Sequence, residues 1–343
     1  MIRAITAGRA GIIGNPTDGY GGTLIACSTK NKAEVTIQES HELTLINSFG
    51  ERILRWENDF ENQGDYFDIF RAVLRYFKLY DMKAKITAIS NIPVQAGMAG
   101  STAILSSLLS AVLAYTGRQV NKYELAELNR IIELNYLKVH CGYQDAYMTT
   151  FGGLSYIDFR GKENYKELKD EQYATVENLS EYVDELPFVI AHTGIKHNSG
   201  NFHLPIREKW LEGDSAVVNG YNEIMNLARE GKKALLKGDW EQLAYLMNKN
   251  HQIQDSFADA GKQNKYMIEV AREHGAMAAK LSGAGGGGTI IALTFEPERV
   301  KKALLEAGAT EFVELDPSWK GVKVEHLKAS DAKYKKEESV LVG

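Results

Sequence analysis

The chain has 343 residues, 44% of them hydrophobic and 25% charged, the balance of an ordinary water-soluble globular protein, and its length points to about two domains. Lys and Arg number 40 against 45 Asp and Glu, and the net charge of -5 gives no electrostatic basis for holding nucleic acid. Cys27 and Cys141 alone make neither a disulfide framework nor a zinc site and suit a reducing cytoplasm; no signal-peptide pattern is seen, and no apolar run approaches the roughly 20 residues that cross a bilayer.

In chain order, strand-like runs fall at residues 2–6, 22–27, 33–38 and 41–46, with turn signals such as Lys30-Asn31-Lys32 between them. Phe67, Ile69, Phe70, Val73, Leu74 and Phe77 recur at helical spacing and predict a helix over 66–80. A strand over 84–89 leads through a small-residue loop into an apolar helix over 104–115, and a second helix follows over 121–138. Gly152-Gly153 precede a strand over 154–159. The charge-rich, apolar-poor stretch 160–185 suits a domain connection or an exposed excursion. The second half opens on a buried-looking strand at 187–191, then helices at 216–237, 239–251 and 265–274. A glycine run at 283–288 enters a strand at 289–294, a helix follows at 297–307, and strands at 312–314 and 322–325 come before a polar, loose tail at 328–336. The pattern is α+β in two halves, divided at 1–180 and 181–343.

Four constellations carry chemistry. The loop Pro93-Val-Gln-Ala-Gly-Met-Ala-Gly-Ser-Thr-Ala103 offers bare backbone N–H groups at a helix N-terminus, where the dipole favours negative charge. Gly97, Ala99 and Gly100 let a polyphosphate lie on the backbone, and the Ser101 and Thr102 hydroxyls can hold a phosphate oxygen or magnesium. No Lys stands in the Walker A position. A plain strand-to-helix turn with Ser101 as N-cap fits the same segment. The block from Ala7 to Gly22 joins a strand end to a Gly-rich polar loop, able to place Asn15, Asp18 and Tyr20 around a polyhydroxylated ligand; a tight turn is the plainer account. Arg9 in that block can offset a phosphoryl group or a carboxylate. Glu133 sits near a helix end among apolar residues and Asp145 precedes the double glycine, one fit to hold Mg²⁺ and the other to take a hydroxyl proton; a solvated surface charge is the plainer account of a single helical acid. The glycine-rich segment from Lys280 to Gly288 serves either backbone packing against the phosphate loop or nucleotide contact.

Together these motifs resemble the galactokinase, homoserine kinase, mevalonate kinase and phosphomevalonate kinase (GHMP) family, with its Pro-Gly-Lys/Arg block, Pro-x-x-x-Gly-Leu-x-Ser-Ser-Ala loop and Gly-Ala-Gly-Gly-Gly-Gly stretch in the same order. Gly14-Asn15-Pro16-Thr17-Asp18-Gly19-Tyr20 and Gly97-Met98-Ala99-Gly100-Ser101-Thr102-Ala103 look like the corresponding segments of glucuronokinases. Residues 199–203 with Arg207, Lys209 and Trp210 look, more loosely, like the segment after their first C-terminal strand. The resemblance implies a ribosomal-protein-S5-like N-terminal domain and a ferredoxin-like C-terminal domain. It makes Asp145 the catalytic aspartate, Arg9 its basic companion, and Ser101 and Glu133 the magnesium ligands. Pro93, Gly97, Met98, Ala99, Gly100, Ser101, Thr102, Ala103, Gly283, Ala284 and Gly285 become nucleotide contacts. Asn15, Asp18, Tyr20, Asp145, Gly285 and Arg207 become substrate contacts.

Met98 replaces the family's Leu, Gly100 its first Ser, Thr102 a small apolar residue and Ala7 its Pro. Asn15-Pro16 stands where galactokinases carry Glu-His, which argues against galactose. The expectation is a kinase, using ATP and Mg²⁺, that phosphorylates a sugar hydroxyl, in particular the anomeric hydroxyl of a uronic acid. Lys196, His203, Arg207 and Lys209 are candidate cations for the acid's carboxylate, or simply solvated charges. Other acceptors are a different sugar or a mevalonate-like alcohol, and a non-catalytic sugar and nucleotide sensor is the reading outside enzymology. The expected setting is cytoplasmic, as monomer or homodimer, with a small-molecule substrate, no nucleic acid and no membrane.

Overall fold

The structure, a computed structural model, describes residues 1–162, 171–195, 199–283 and 288–328, with the backbone alone at 199–203. Strands β1 (Ile2–Ile13) and β2 (Thr23–Glu39) form a long hairpin, followed by the hairpin of β3 (Leu43–Asn47) and β4 (Gly50–Leu54). Helix α1 (Asp68–Phe77) and strand β5 (Ala84–Ser90) lead to helices α2 (Gly100–Tyr115), α3 (Lys122–Asn135) and α4 (Gln144–Phe151). Strands β6 (Leu154–Asp158), β7 (Thr175–Asn178) and β8 (Phe188–His192) come next. Four helices follow, α5 (Ser199–Leu211), α6 (Ser215–Lys237), α7 (Trp240–Phe257) and α8 (Lys262–Glu273). The described chain ends through β9 (Ala278–Leu281), β10 (Thr289–Leu293), α9 (Pro297–Glu306), β11 (Glu311–Val313) and β12 (Lys323–His326).

The first sheet runs β12-β1-β2-β5-β3-β4, with β6 on the other half of β2 and β7 beyond it; only β3 and β5 pair in parallel. The second runs β11-β8-β10-β9, antiparallel throughout. Residues 323–326, which a boundary after 180 assigns to the second half, pair with β1 in the first sheet. The turn expected at Lys30-Asn31-Lys32 does not reverse the chain, and β2 continues through it with a bulge opposite Ala7 to Arg9. Its lysines reach sideways instead, Lys30 to Glu314 and Lys32 to Asp316 at 2.8 Å, so their polarity serves contact with the C-terminal half rather than chain reversal. Within 160–185 the described residues are not simply an exposed excursion. Lys162 is fully buried between Glu127 at 2.8 Å and Glu171 at 3.0 Å, β7 extends the sheet, and Leu179 and Val183 lie in the core.

Helix α2 aims its N-terminus at the site. It is apolar nearly all round and buried on most faces, packed against β1 and β2. Its three interior serines are satisfied locally: Ser106 by Thr149 at 2.7 Å, Ser107 by the Ala33 carbonyl at 3.1 Å and Ser110 by the Ser106 carbonyl at 2.7 Å. Ile12 and Ile13 of β1 share a core with Ala228, Leu243 and Met247 of the C-terminal helices, which ties the two halves together. Among the described residues no helix is long and apolar enough to cross a membrane.

Candidate active site

Between β5 and α2 the backbone turns through left-handed conformations at Gln95 (φ 55°), Gly97 (φ 69°) and Ala99 (φ 60°). Ala99 is the N-cap of α2, and no side chain caps the helix there. Ser101 is therefore inside the first turn rather than at the cap, and the leading N–H groups stay available for an anion. A left-handed Ala costs about 1–2 kcal/mol, and the loop is held to it by its carbonyls. The Ala96 carbonyl accepts Thr289 Oγ1 at 2.8 Å, the Met98 carbonyl accepts the Arg9 N–H at 3.1 Å, and the Gly97 carbonyl accepts the Arg9 guanidinium. With its acceptors engaged inward, the loop has few oxygens left to repel a phosphate. A Cβ at Gly288 would lie 2.8 Å from the Ala96 oxygen, and one at Gly283 3.3 Å from that of Gly97. Both flanks of the second glycine run thus pack on the loop backbone; Ala284 and Gly285 lie outside the described residues.

Asp145 and Arg9 meet. Arg9 Nε lies 2.7 Å and Nη2 2.6 Å from Asp145 Oδ1, with the guanidinium buried and the carboxylate partly open. Asp145 stands in the first turn of α4, whose N-terminus is held by Asp18 from 125 residues away. One oxygen, Asp18 Oδ2, accepts the N–H groups of Tyr143 at 2.7 Å and Gln144 at 2.8 Å, and a Cβ at Gly142 would collide with it.

Glu133, on α3, accepts the Thr102 hydroxyl on Oε1 at 2.6 Å. Burial pushes its carboxyl up to about 7, against the lowering pull of that hydroxyl bond. Its Oε2 is buried without a well-formed hydrogen bond, although the Cys141 thiol lies near enough to the carboxyl to lower it, as Thr102 does. A buried carboxylate oxygen left open beside a helix N-terminus fits a cation, and with the Ser101 hydroxyl it suits magnesium. Among the described residues no group of three or more His, Cys, Asp or Glu could hold a metal ion; magnesium commonly takes one or two carboxylates together with phosphate oxygens.

Two cavities meet at Gly97, Ser101, Val139 and Asp145. The smaller, about 130 Å³, is walled by Arg9, Asp18, Tyr20, Thr102, Glu133, Gln144, Arg207 and Gly283. The larger, about 360 Å³, runs along Pro93, Gly97, Met98, Ala99, Gly100 and Ser101 to an apolar wall of Phe49, Tyr66, Ile69 and Ile89. Phe49 stacks on Tyr66 with ring centroids 3.8 Å apart. Ala103 lines neither cavity and packs in the core. Asn15 is buried behind the smaller cavity, its amide between Lys280 and the Gly283 carbonyl. Tyr20 stacks on Tyr221 with centroids 4.5 Å apart and leans on Trp210 at 4.7 Å. Sequence reasoning missed Gln144, whose buried Nε2 has no partner, and the Phe49–Tyr66 wall. Both lack a local signal, since a lone Gln and two separated aromatics read as ordinary surface or core.

Family models match at residues 67–153, as the GHMP kinases N terminal domain, and at 232–312, as GHMP kinases C terminal. A probable glucuronokinase 2 of Arabidopsis thaliana is 31% identical over 331 residues, covering 89% of this chain and 88% of its own. The mevalonate kinase of Pyrococcus furiosus is 26% identical and covers 84% of this chain and 85% of its own. The structure of Streptococcus pneumoniae phosphomevalonate kinase in complex with phosphomevalonate and AMPPNP shares the fold, with a TM-score of 0.67 at 14% identity over 95% of this chain and 100% of that one. The chain belongs to the GHMP kinase family. It has that family's two-part α+β fold, and the family and its kinase-named relatives make it a phosphotransferase.

Proposed function

We propose that this protein transfers the γ-phosphoryl group of ATP to a hydroxyl of a small sugar acid, in particular the anomeric hydroxyl of a uronic acid. One observation carries the acid: Arg207 lines the smaller cavity with no hydrogen bond or ion pair to its guanidinium among the described residues, and its Nε is buried. The other arginine there, Arg9, is already offset by Asp145. A carboxylate would match Arg207 with charge-assisted bonds, and the unpartnered Gln144 Nε2 adds a donor for a hydroxyl or carboxylate oxygen. Glucuronate and mevalonate, the acceptors in the relatives' names, are both carboxylic acids.

In this reading the acceptor occupies the smaller cavity, beside Asp18, Tyr20 and Gln144. The nucleotide lies along 93–101, its base against the Phe49–Tyr66 wall. Asp145 stands where the cavities meet and takes the proton of the attacking hydroxyl, while Arg9 fixes the carboxylate's direction. The helix N-terminus receives the phosphates. Glu133 Oε2 and the Ser101 hydroxyl would hold magnesium, which when bound neutralises phosphate charge. The reading treats 1–180 as the ATP-phosphate-binding part and 181–343 as the C-terminal GHMP part. It has the protein act as a monomer or homodimer in the cytoplasm, where Cys27 and Cys141 stay reduced, and it requires no nucleic acid and no membrane.

The test is ADP release with ATP, Mg²⁺ and a panel of glucuronate, galacturonate, neutral hexoses and mevalonate, repeated with Arg207→Met. A uronate is expected to turn over, and the variant to raise its KM about 30- to 150-fold, the worth of a 2–3 kcal/mol charged hydrogen bond, with kcat little changed. Turnover confined to neutral sugars, or a variant indifferent to the carboxylate, would overturn the acid. Turnover of mevalonate alone would keep the acid and remove the anomeric hydroxyl.

A further inference from the structure

Lys280 is the penultimate residue of the buried strand β9, just before the glycine run, and has no exposed surface. Its Nζ donates to Asn15 Oδ1 at 2.8 Å and to the Leu281 carbonyl. Asn15 passes the contact on, donating Nδ2 to the Gly283 carbonyl at 2.9 Å. Alongside, the Gly11 N–H reaches both the carbonyl, at 3.2 Å, and the Oγ, at 3.1 Å, of Ser282. Neither Asn15 nor Lys280 lines the acceptor cavity, but Pro16, Asp18, Gly19, Tyr20 and Gly283 do. The amide has one workable orientation. Flipped, it would set its NH₂ against the ammonium and its carbonyl against that of Gly283.

We propose that Lys280 is a positioning residue for the acceptor cavity, its hold on Asn15 setting where residues 16–20 of the N-terminal half stand against Gly283 of the C-terminal half. The inference rests on the smaller cavity being the acceptor site. A buried ammonium is costly to desolvate, and an apolar side chain would fill the space more cheaply, so its contribution is orientation rather than stability.

The charged and titratable groups that face Lys280 are Arg9 from β1 and His251 from α7; among the described residues no carboxylate pairs with it. Burial, with Arg9 adding to it, pushes the ammonium down to about 7. Below that pH Lys280 donates as an ammonium; above it the neutral amine keeps two N–H donors for Asn15 Oδ1 and the Leu281 carbonyl but loses the charge that strengthens both bonds, and the hold weakens. Stability moves the other way. A lysine titrating lower folded than unfolded leaves the unfolded chain binding more protons between about 7 and 10.5, so this group's contribution to stability rises with pH there.

Lys280→Met is expected to raise the acceptor KM about tenfold, one charged hydrogen bond's worth. The KM for ATP should stay within about twofold and the melting temperature should be unchanged or higher. The wild type should lose acceptor kcat/KM as pH climbs from 7 to 9, and the variant should lack that limb. Asn15→Leu should reproduce the KM effect, and the double variant should be no worse than either single, because both break one clip. The assay uses whichever acceptor of the panel turns over, so a wrong acceptor class leaves this test intact. Parallel loss of ATP and acceptor affinity with a lower melting temperature would make Lys280 merely structural. Multiplying single effects, or an alkaline limb that survives Lys280→Met, would equally overturn the clip; if the Met variant does not fold, Asn15→Leu decides through its KM split.

Discussion

Asp145→Asn is expected to lower ADP release in the presence of acceptor about 10³-fold, within the 10²–10⁴ range that a positioned base contributes, while both substrates bind as before. Asn keeps the shape of the side chain and an oxygen for Arg9 Nε, which lies 2.7 Å from Oδ1 in the native protein. It loses the basicity. The N-terminus of α4 stays anchored because its two N–H groups bond to Asp18, not to residue 145. A loss confined to kcat is therefore the signature of a group that acts only in the transition state. Calorimetric titration with a non-hydrolysable ATP analogue supplies the control. A variant that retains more than about a tenth of wild-type turnover would place the base elsewhere, and a large fall in nucleotide affinity would mean that the Arg9–Asp145 contact shapes the phosphate loop instead.

Much of this site could be read from the chain because its chemistry sits in contiguous segments. The run from Gly97 to Thr102 suggests a bare helix N-terminus by its small residues, although a turn capped by Ser101 fits it too, and Asp145 is singled out by the family resemblance rather than by its own neighbourhood. Contacts between distant segments were not legible. Asp18 was expected to face a sugar, and it does line the cavity, yet one of its oxygens holds a helix 125 residues further on. No spacing rule signals such a cap, because α4 meets the 17–20 turn only in three dimensions. Asn15 was expected at the substrate and lies behind the cavity wall, clasped by a lysine 265 residues away. Lys30-Asn31-Lys32 reads as a turn because polar residues outside a sheet face usually mark one. Here β2 continues, since Lys30 and Lys32 find carboxylates on the C-terminal half. Where polarity is answered by a remote partner, local pattern misreads it.

In the proposed reading Glu133 sets function against stability, and Glu133→Gln separates the two. Burial pushing the carboxyl from 4.5 to about 7 means that ionisation is opposed by about 3 kcal/mol, at 1.36 kcal/mol per unit. The folded protein then holds this proton to higher pH than the unfolded chain, so the group's contribution to stability falls as pH rises from 4.5 to about 7 and stays low above. Gln keeps the shape and an oxygen for the Thr102 hydroxyl, and removes the charge. In the presence of a chelator at pH 8, the variant should melt at the wild-type temperature or above it. Its ADP release should fall about 10²–10³-fold, the several kcal/mol that a metal ligand's charge contributes to phosphoryl transfer. The Mg²⁺ concentration for half-maximal rate should rise with it, because with Thr102 holding Oε1 the amide NH₂ takes the place of Oε2, and a donor there cannot bind a cation. Magnesium titrations of both proteins at saturating acceptor, beside melts in chelator, read the two quantities separately. Unchanged magnesium dependence would remove Glu133 from the metal site, and a lower melting temperature with unchanged magnesium dependence would make its carboxylate a structural partner of Thr102 and nothing more.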